Sequence, residues 1–242
     1  LPGVWLILPT YDEAENIEAM VEAALAQLAS TGLSHTILVV DDGSPDGTGV
    51  IAERLASQLA EVQVLHRTRK EGLGRAYLAG FGLALAGGAD LIMEMDSDFS
   101  HDPADLPRMI AAAQMADLVL GSRYVPGGGV INWGAVRRAL SWGGSTYARI
   151  LLGVPVRDLT GGFKCFNRRV LETIDLAGVH ADGYGFQIEL TYRTIKAGFS
   201  VTEVPIYFRE RRIGQSKMTA RIALEAVWKV PALRFRRTPE VQ

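Results

Sequence analysis

One cysteine, Cys165, stands in 242 residues. That excludes an internal disulfide and a cysteine-rich metal site, and it predicts a reducing compartment. Long apolar runs are missing as well. The longest stretch free of Asp, Glu, Lys, Arg and His, Ala76 to Ala89, falls short of the ~20 apolar residues of a spanning helix, and Gly87 and Gly88 interrupt it. No secretory signal is visible. The chain opens on Leu1 rather than Met, which predicts a segment cut from a longer protein. His35, His66, His101 and His180 lack zinc-like spacing, and no Ser/His/Asp arrangement stands out. These histidines are read as structural or solvated, although His101 lies close to an acidic pair. Cys165 is read as packed rather than nucleophilic.

What is present fits one globular domain. Hydrophobic residues make up 48% of the chain, too many for a disordered one, and the length suits a single large domain. The net charge of −2 hides an asymmetry. Residues 208–242 hold nine cations and three anions, a net +6, so residues 1–207 carry −8. A basic tail on an acidic body suits an anion: nucleic acid, lipid head groups or a phosphorylated substrate. A solvated charged face explains the same numbers.

The first ~120 residues alternate between strand and helix signals. Strands are expected at Val4–Pro9, Thr36–Val40, Val62–Leu65, Leu91–Met95 and Leu118–Leu120. Helices are expected at Glu13–Ala29, Thr48–Leu59, Arg75–Leu85 and Pro103–Gln114. Repeated β-α units argue for a mainly parallel sheet with right-handed crossovers, which binds ligands beyond the carboxyl ends of its strands. Polar clusters fall at those ends. Further on, Val125–Asn132 reads as a glycine-rich loop, Ala135–Leu152 and Tyr184–Lys196 as helices, and Gly162–Phe166 and Val201–Val204 as strands. Ser216–Val230 reads as a helix suited to core packing or to a membrane surface.

Asp96-Ser97-Asp98 is the sharpest local feature. Two carboxylates just past an apolar strand can converge on one hard cation, Mg²⁺ or Mn²⁺, leaving positions for phosphate oxygens. Asp-x-Asp is common in solvated loops, so its place at a strand end carries the weight. In Asp41-Asp42-Gly43-Ser44-Pro45-Asp46-Gly47, a carboxylate can accept from a base or ribose while the rest shapes a turn. His66 to Gly74, with Arg67, Arg69 and Lys70, is a phosphate contact or a solvated basic loop. Arg123, Arg137 and Ser141 form a second candidate anion site, against surface arginines. Arg211 and Lys217, flanking Gly214-Gln215-Ser216, form a basic segment able to fold over a diphosphate.

Together these residues resemble the family 2 glycosyltransferases, nearest the dolichol- or polyprenol-phosphate mannose synthases. The resemblance spans almost the whole chain. It rests on Leu8-Pro9-Thr10-Tyr11-Asp12-Glu13, Val40 to Thr48, Lys70 to Gly74, Met95 to His101, Gly121 to Tyr124, Asp158 to Phe163, Glu203 to Ile206 and Arg211 to Met218. It implies the A-type glycosyltransferase fold, a Rossmann-like α/β sheet flanked by helices. The 242 residues would be one domain: a nucleotide-sugar half (1–122), an acceptor half (123–215) and a basic amphipathic segment (216–242). The implied reaction is inverting transfer of mannose from GDP-mannose to a polyprenyl or dolichyl phosphate. Pro9, Tyr11, Glu13, Val40, Asp41, Asp42 and Lys70 would hold the nucleotide. Asp96, Ser97 and Asp98, with Arg211 and Lys217, would reach the diphosphate. Asp96 and Asp98 would hold Mg²⁺ or Mn²⁺, with Ser100 a poor third ligand. Arg123, Arg137 and Ser141 would hold the acceptor phosphate.

The expected location is cytoplasmic, peripheral on the cytosolic face of a membrane, held by the basic tail and the helix from Ser216, with room for an anchoring domain or subunit. Nucleic acid is not an expected partner. UDP-glucose is the rival donor. A non-catalytic membrane- or nucleic-acid-binding module is the rival class, and it leaves Asp96 and Asp98 idle.

Overall fold

The structure is a computed structural model, and it describes residues 3–179, 181, 183–210 and 230–234. In chain order the elements are β1 (Val4–Thr10), α1 (Ile17–Ala29), β2 (His35–Asp41), α2 (Thr48–Gln58), β3 (Val62–His66), α3 (Leu73–Ala86) and β4 (Leu91–Glu94). A 3₁₀ turn at Pro103–Asp105 leads into α4 (Leu106–Ala112). Then come β5 (Leu118–Ser122), β6 (Gly129–Ile131), α5 (Ala135–Leu152), β7 (Lys164–Asn167), α6 (Arg168–Thr173), α7 (Gly183–Lys196), β8 (Val201–Pro205) and β9 (Tyr207–Arg209).

Seven strands form one sheet in the order β3-β2-β1-β4-β7-β5-β8. All neighbours run parallel except β7, which pairs antiparallel with both β4 and β5. The mainly parallel α/β sheet is therefore as expected. Near-continuous apolar strands such as Val4-Trp5-Leu6-Ile7-Leu8 follow from burial on both faces. Leu6, Leu8, Ile37, Val39 and Met93 pack toward α1, α2 and α4. Ile7, Leu38, Val40 and Ile92 pack toward α3 and α7.

Three elements depart from the expected pattern. The loop at Val125–Asn132 contains β6, which pairs with β9 in a separate two-stranded sheet. Three residues are too few to show periodicity, and that pairing spans almost eighty positions. The helix expected at Pro103–Gln114 is split, with Asp102 capping the 3₁₀ turn through Ala104 N (3.0 Å). The short helix α6 follows β7 directly. The expected helix at Ser216–Val230 lies outside the described residues except at Val230, which with Leu233 joins the core.

Close packing of α3 on the sheet depends on Gly80. A Cβ there would sit 2.6 Å from Ile7 Cγ2, inside the core. Gly80→Ala is expected to lower stability by about 1–2 kcal/mol, overpacking outweighing the gain in helix propensity. Urea unfolding would show a lower midpoint at constant slope. An unchanged or higher midpoint would mean that Ile7 yields freely.

Candidate active site

The carboxyl ends of β1, β2 and β4 open on a cleft of about 290 Å³. One end is built by two turns stitched together. Asp12, at φ 55°, donates its backbone N–H to Ser44 Oγ (3.1 Å), and Glu13 N donates to Thr48 Oγ1 (2.9 Å). Ala14 N donates to Asp46 Oδ2 (2.9 Å). Asn16 Nδ2 holds Glu13 Oε2 at 2.9 Å. Most of the Asp41–Thr48 motif is thus spent on holding the two turns together.

Asp41 ends β2 and Asp42 follows it, and the two side chains part company. Asp42 lines the cleft, and its carboxylate accepts from Arg67 Nη1 (2.5 Å). Burial raises its pKa, and Arg67 opposes the rise. Arg67 also reaches Glu71 (2.7 Å). Asp41 turns away, accepts from Ser44 Oγ and faces His66. Val40 belongs to the core beneath α3. Neither Val40 nor Asp41 lines the cleft, which corrects the expected nucleotide set. Pro9, Tyr11, Glu13 and Lys70 do line it, with Lys70 Nζ 3.9 Å over the Tyr11 ring.

Asp96, Ser97 and Asp98 form the floor, just past β4. Ser97 Oγ donates to Pro9 O (3.1 Å), tying the ends of β1 and β4. Asp98 is 2% exposed, and its Oδ1 accepts from Ser100 N (3.0 Å) across a turn with Phe99 at φ 60°. Asp96 is the more open of the two, its side chain 30% exposed. Two carboxylates on one cleft floor are an oxygen donor set of the kind a hard divalent cation takes, with water and diphosphate completing the shell. Ser100 also lines the cleft. Among the described residues no group of three or more His, Cys, Asp or Glu is arranged to hold a metal.

His101 is buried between Phe163 and Phe208, and its Nδ1 accepts from Asp96 N (3.3 Å). Burial lowers its pKa to about 4, despite the pull of Asp98 and Asp158. It is neutral near pH 7 and its lone pair is taken. The reading of His101 as structural agrees with this geometry.

The far wall differs most from expectation. Arg123 is buried and paired with Asp158, Nε to Oδ2 and Nη2 to Oδ1, both 2.7 Å. Its Nη2 also donates to Thr160 Oγ1 (2.8 Å). Burial favours the neutral carboxyl of Asp158, but Arg123 holds its pKa below the usual range. Glu203 in turn fixes the backbone N–H groups of Arg157 and Asp158 (2.9 Å each). Arg123 is therefore a strut in the wall with two nitrogens already occupied. Ser141 does not line the cleft, and its Oγ accepts from Tyr124 OH (2.7 Å). Arg137 does line it, stacked 4.1 Å over Trp133 and paired with Glu210 (3.0 Å). Arg211 and Lys217 lie outside the described residues.

Several side chains of the site had no expected role: Asp158, Trp133, Tyr184 and Gln187, with Glu94 and Lys164 beneath. A sequence signal existed for the last two. Each puts a charge into an apolar strand, Ile92-Met93-Glu94-Met95 and Phe163-Lys164-Cys165-Phe166. The two are register partners across β4 and β7, fully buried, with Nζ 4.0 Å from Oε2. Burial raises the Glu94 pKa to about 7, and Lys164 opposes it. Burial lowers the Lys164 pKa to about 8, and Glu94 opposes it.

A family model described as "Glycosyl transferase family 2" matches residues 5–175. The "Undecaprenyl-phosphate mannosyltransferase" of Micrococcus luteus is 47% identical over 224 residues, 93% of this chain and 90% of that protein. The "Polyprenol monophosphomannose synthase" of Mycolicibacterium smegmatis is 50% identical over 227 residues, 93% of this chain and 84% of that protein. Among solved structures, glucosyl-3-phosphoglycerate synthase from Mycobacterium tuberculosis, in complex with Mn²⁺ and UDP-glucose, superposes with a TM-score of 0.70 at 19% identity. The match covers 99% of this chain and 82% of that one. At that identity the likeness speaks to the fold.

Proposed function

The chain belongs to glycosyl transferase family 2, and from that premise we propose that it moves mannose from GDP-mannose to a polyprenyl monophosphate, inverting the anomeric carbon. The observation that carries the reading is the acidic pair Asp96 and Asp98 on the floor of a cleft that has Asp42 and Tyr11 at one end and Arg137 at the other. Two relatives near 50% identity, both named for mannose and a polyprenyl phosphate, supply the sugar and the acceptor class.

On this reading Pro9, Tyr11, Glu13, Asp42 and Lys70 receive the nucleoside, and Asp96, Ser97 and Asp98 face the diphosphate. Asp96 and Asp98 would hold Mg²⁺ or Mn²⁺. A bound divalent cation supplies Lewis-acid stabilisation of the charge that develops on the departing diphosphate. Arg211 and Lys217 are assigned to the same charge. Arg137, with Trp133 beside it, is the cation that faces the acceptor phosphate. That phosphate is already an anion near neutral pH, so attack needs no general base, and the neutral, occupied His101 is consistent with that. The protein's remaining tasks are in-line alignment and screening of two phosphate groups from each other.

The reading also places the enzyme at a membrane surface, where its acceptor resides. Among the described residues no helix is long and apolar enough to cross a bilayer. Helix α5 instead leaves Val136, Leu140, Trp142 and Ile150 more than half exposed, with Ser145, Ala148 and Leu152 buried on its other side. Arg137 and Arg138 flank the apolar stripe. An apolar face edged by cations suits the headgroup boundary of an anionic bilayer. The tail expected to provide attachment lies outside the described residues apart from 230–234. The double variant Leu140→Glu, Ile150→Glu is expected to lower co-sedimentation with anionic phospholipid vesicles at least tenfold. It should leave the thermal midpoint unchanged. Undiminished co-sedimentation would return attachment to the tail.

The donor is tested by competition. Purified enzyme, undecaprenyl phosphate and Mg²⁺ receive labelled GDP-mannose or labelled UDP-glucose, and label is counted in the organic phase. Label from GDP-mannose alone is expected. Label from UDP-glucose alone would keep the fold and overturn the donor.

A further inference from the structure

Strand β9 lies outside the main sheet, yet its short run touches both ends of the chemistry. Tyr207 and Arg209 are exposed, and Phe208 between them turns inward and lines the cleft. The Phe208 ring meets His101 at 5.0 Å between centroids and 83° between planes. It meets Trp133 at 5.3 Å and 75°. Both are edge-to-face contacts of favourable spacing. On one side, His101 Nδ1 accepts from Asp96 N (3.3 Å), in the turn that carries the acidic pair. On the other, Trp133 lies 4.1 Å beneath the Arg137 guanidinium. The neighbours of Phe208 repeat the pattern. Arg209 N donates to Ser100 O (3.0 Å), in the turn after β4, and Glu210 pairs with Arg137 (3.0 Å). Residues 208–210 therefore hold the acidic floor and the Arg137 wall twice over.

That double hold matters for a transfer between two phosphates. With no general base required, alignment is the main task, and the two anions repel each other as they close. Reacting atoms must come within about 3–3.5 Å, and a misplacement of about 1 Å can cost a hundredfold. The main sheet fixes the acidic floor, whereas Arg137 stands on α5 beyond the β6 excursion. We infer that Phe208 is a positioning residue for the transfer: its ring, wedged between His101 and Trp133, sets the spacing from the acidic floor to Arg137. Through that spacing it governs how the acceptor phosphate approaches the anomeric carbon. This rests on the reading that the floor takes the donor diphosphate and Arg137 the acceptor phosphate.

The test counts two products at once. Wild type, Phe208→Leu and Phe208→Ala receive saturating GDP-mannose, Mg²⁺ and undecaprenyl phosphate in neutral detergent micelles. Mannosyl lipid is read in the organic phase and free mannose in water. Phe208→Leu keeps apolar bulk and removes the ring, so it carries the test if Phe208→Ala fails to fold. The kcat for lipid transfer is expected to fall about 10- to 100-fold, with both KM values within about threefold of wild type. The ratio of free mannose to mannosyl lipid should rise at least about tenfold, because a misaligned acceptor leaves the donor to water. Loss of folded enzyme would lower both products together and leave that ratio alone. Trp133→Leu breaks the next link and should raise the ratio as well. The double variant should exceed the larger single effect by less than about twofold, as expected of residues acting in one chain of contacts. A wild-type ratio in Phe208→Leu, a loss confined to the KM for the lipid, or fully multiplicative effects overturns the inference while leaving the function intact. Wild type that makes no glycosyl lipid overturns both together. Should UDP-glucose prove to be the donor, the same ratio is read with glucose.

Discussion

Asp98→Asn is expected to lower mannose transfer by about a thousandfold or more while the protein stays folded. The substitution keeps Oδ1, which accepts from Ser100 N at 3.0 Å, so the turn after β4 has no reason to move. What disappears is the charge. Asp98 is almost fully buried on the cleft floor, beside Asp96. A cation held by two carboxylates loses half of its protein charge when one becomes an amide, and the leaving diphosphate loses stabilisation that is strongest in the transition state. Single-turnover kinetics at saturating GDP-mannose reads this directly. Raising Mg²⁺ or Mn²⁺ should recover part of the loss. Near-normal turnover would remove the acidic pair from the chemistry.

Arg123→Met is expected to cost about 3–5 kcal/mol of stability. For a chain of this length that corresponds to a fall of about 10 °C in the thermal midpoint. The side chains of Arg123 and Asp158 are 3% and 0% exposed. Deleting the guanidinium leaves a buried carboxylate with its desolvation uncompensated. Arg123→Lys should recover little, because one ammonium cannot replace the two-pronged contact. The double variant Arg123→Met, Asp158→Leu should regain much of the loss, since an apolar pair removes the stranded charge. An unchanged midpoint in Arg123→Met would contradict the strut and return Arg123 to the phosphate role that its sequence position suggested.

That reassignment shows where a sequence stops being legible. Alternating apolar runs and helical stripes are local, so β1 to β5 and α1 to α3 fall within a few residues of their expected bounds. The position of β7 between β4 and β5 depends on contacts across more than forty residues, which no short pattern carries. The same holds in the site. Asp96, Asp98, Tyr11, Glu13 and Lys70 sit at strand ends or in the turns just after them, and line the cleft. Asp41 and Asp42 are the same residue type, and what separates them is the turn after β2, which leaves Asp41 on Ser44 and Asp42 on the cleft. Arg123 looked like a free cation because its partner, Asp158, stands 35 residues away. Gln187 had no signal of its own.

One measurement bears most directly on the central claim, a single in-line displacement onto a lipid phosphate. Wild-type enzyme, undecaprenyl phosphate, Mg²⁺ and GDP-α-mannose are incubated, the lipid is extracted, and the anomeric configuration of its mannose is read by NMR. The expected product is β-linked mannosyl phosphate, formed by wild type and lost in Asp98→Asn. An α-linked product would mean retention and a different mechanism. Mannose released to water, with none on the lipid, would mean that the acceptor has been misassigned.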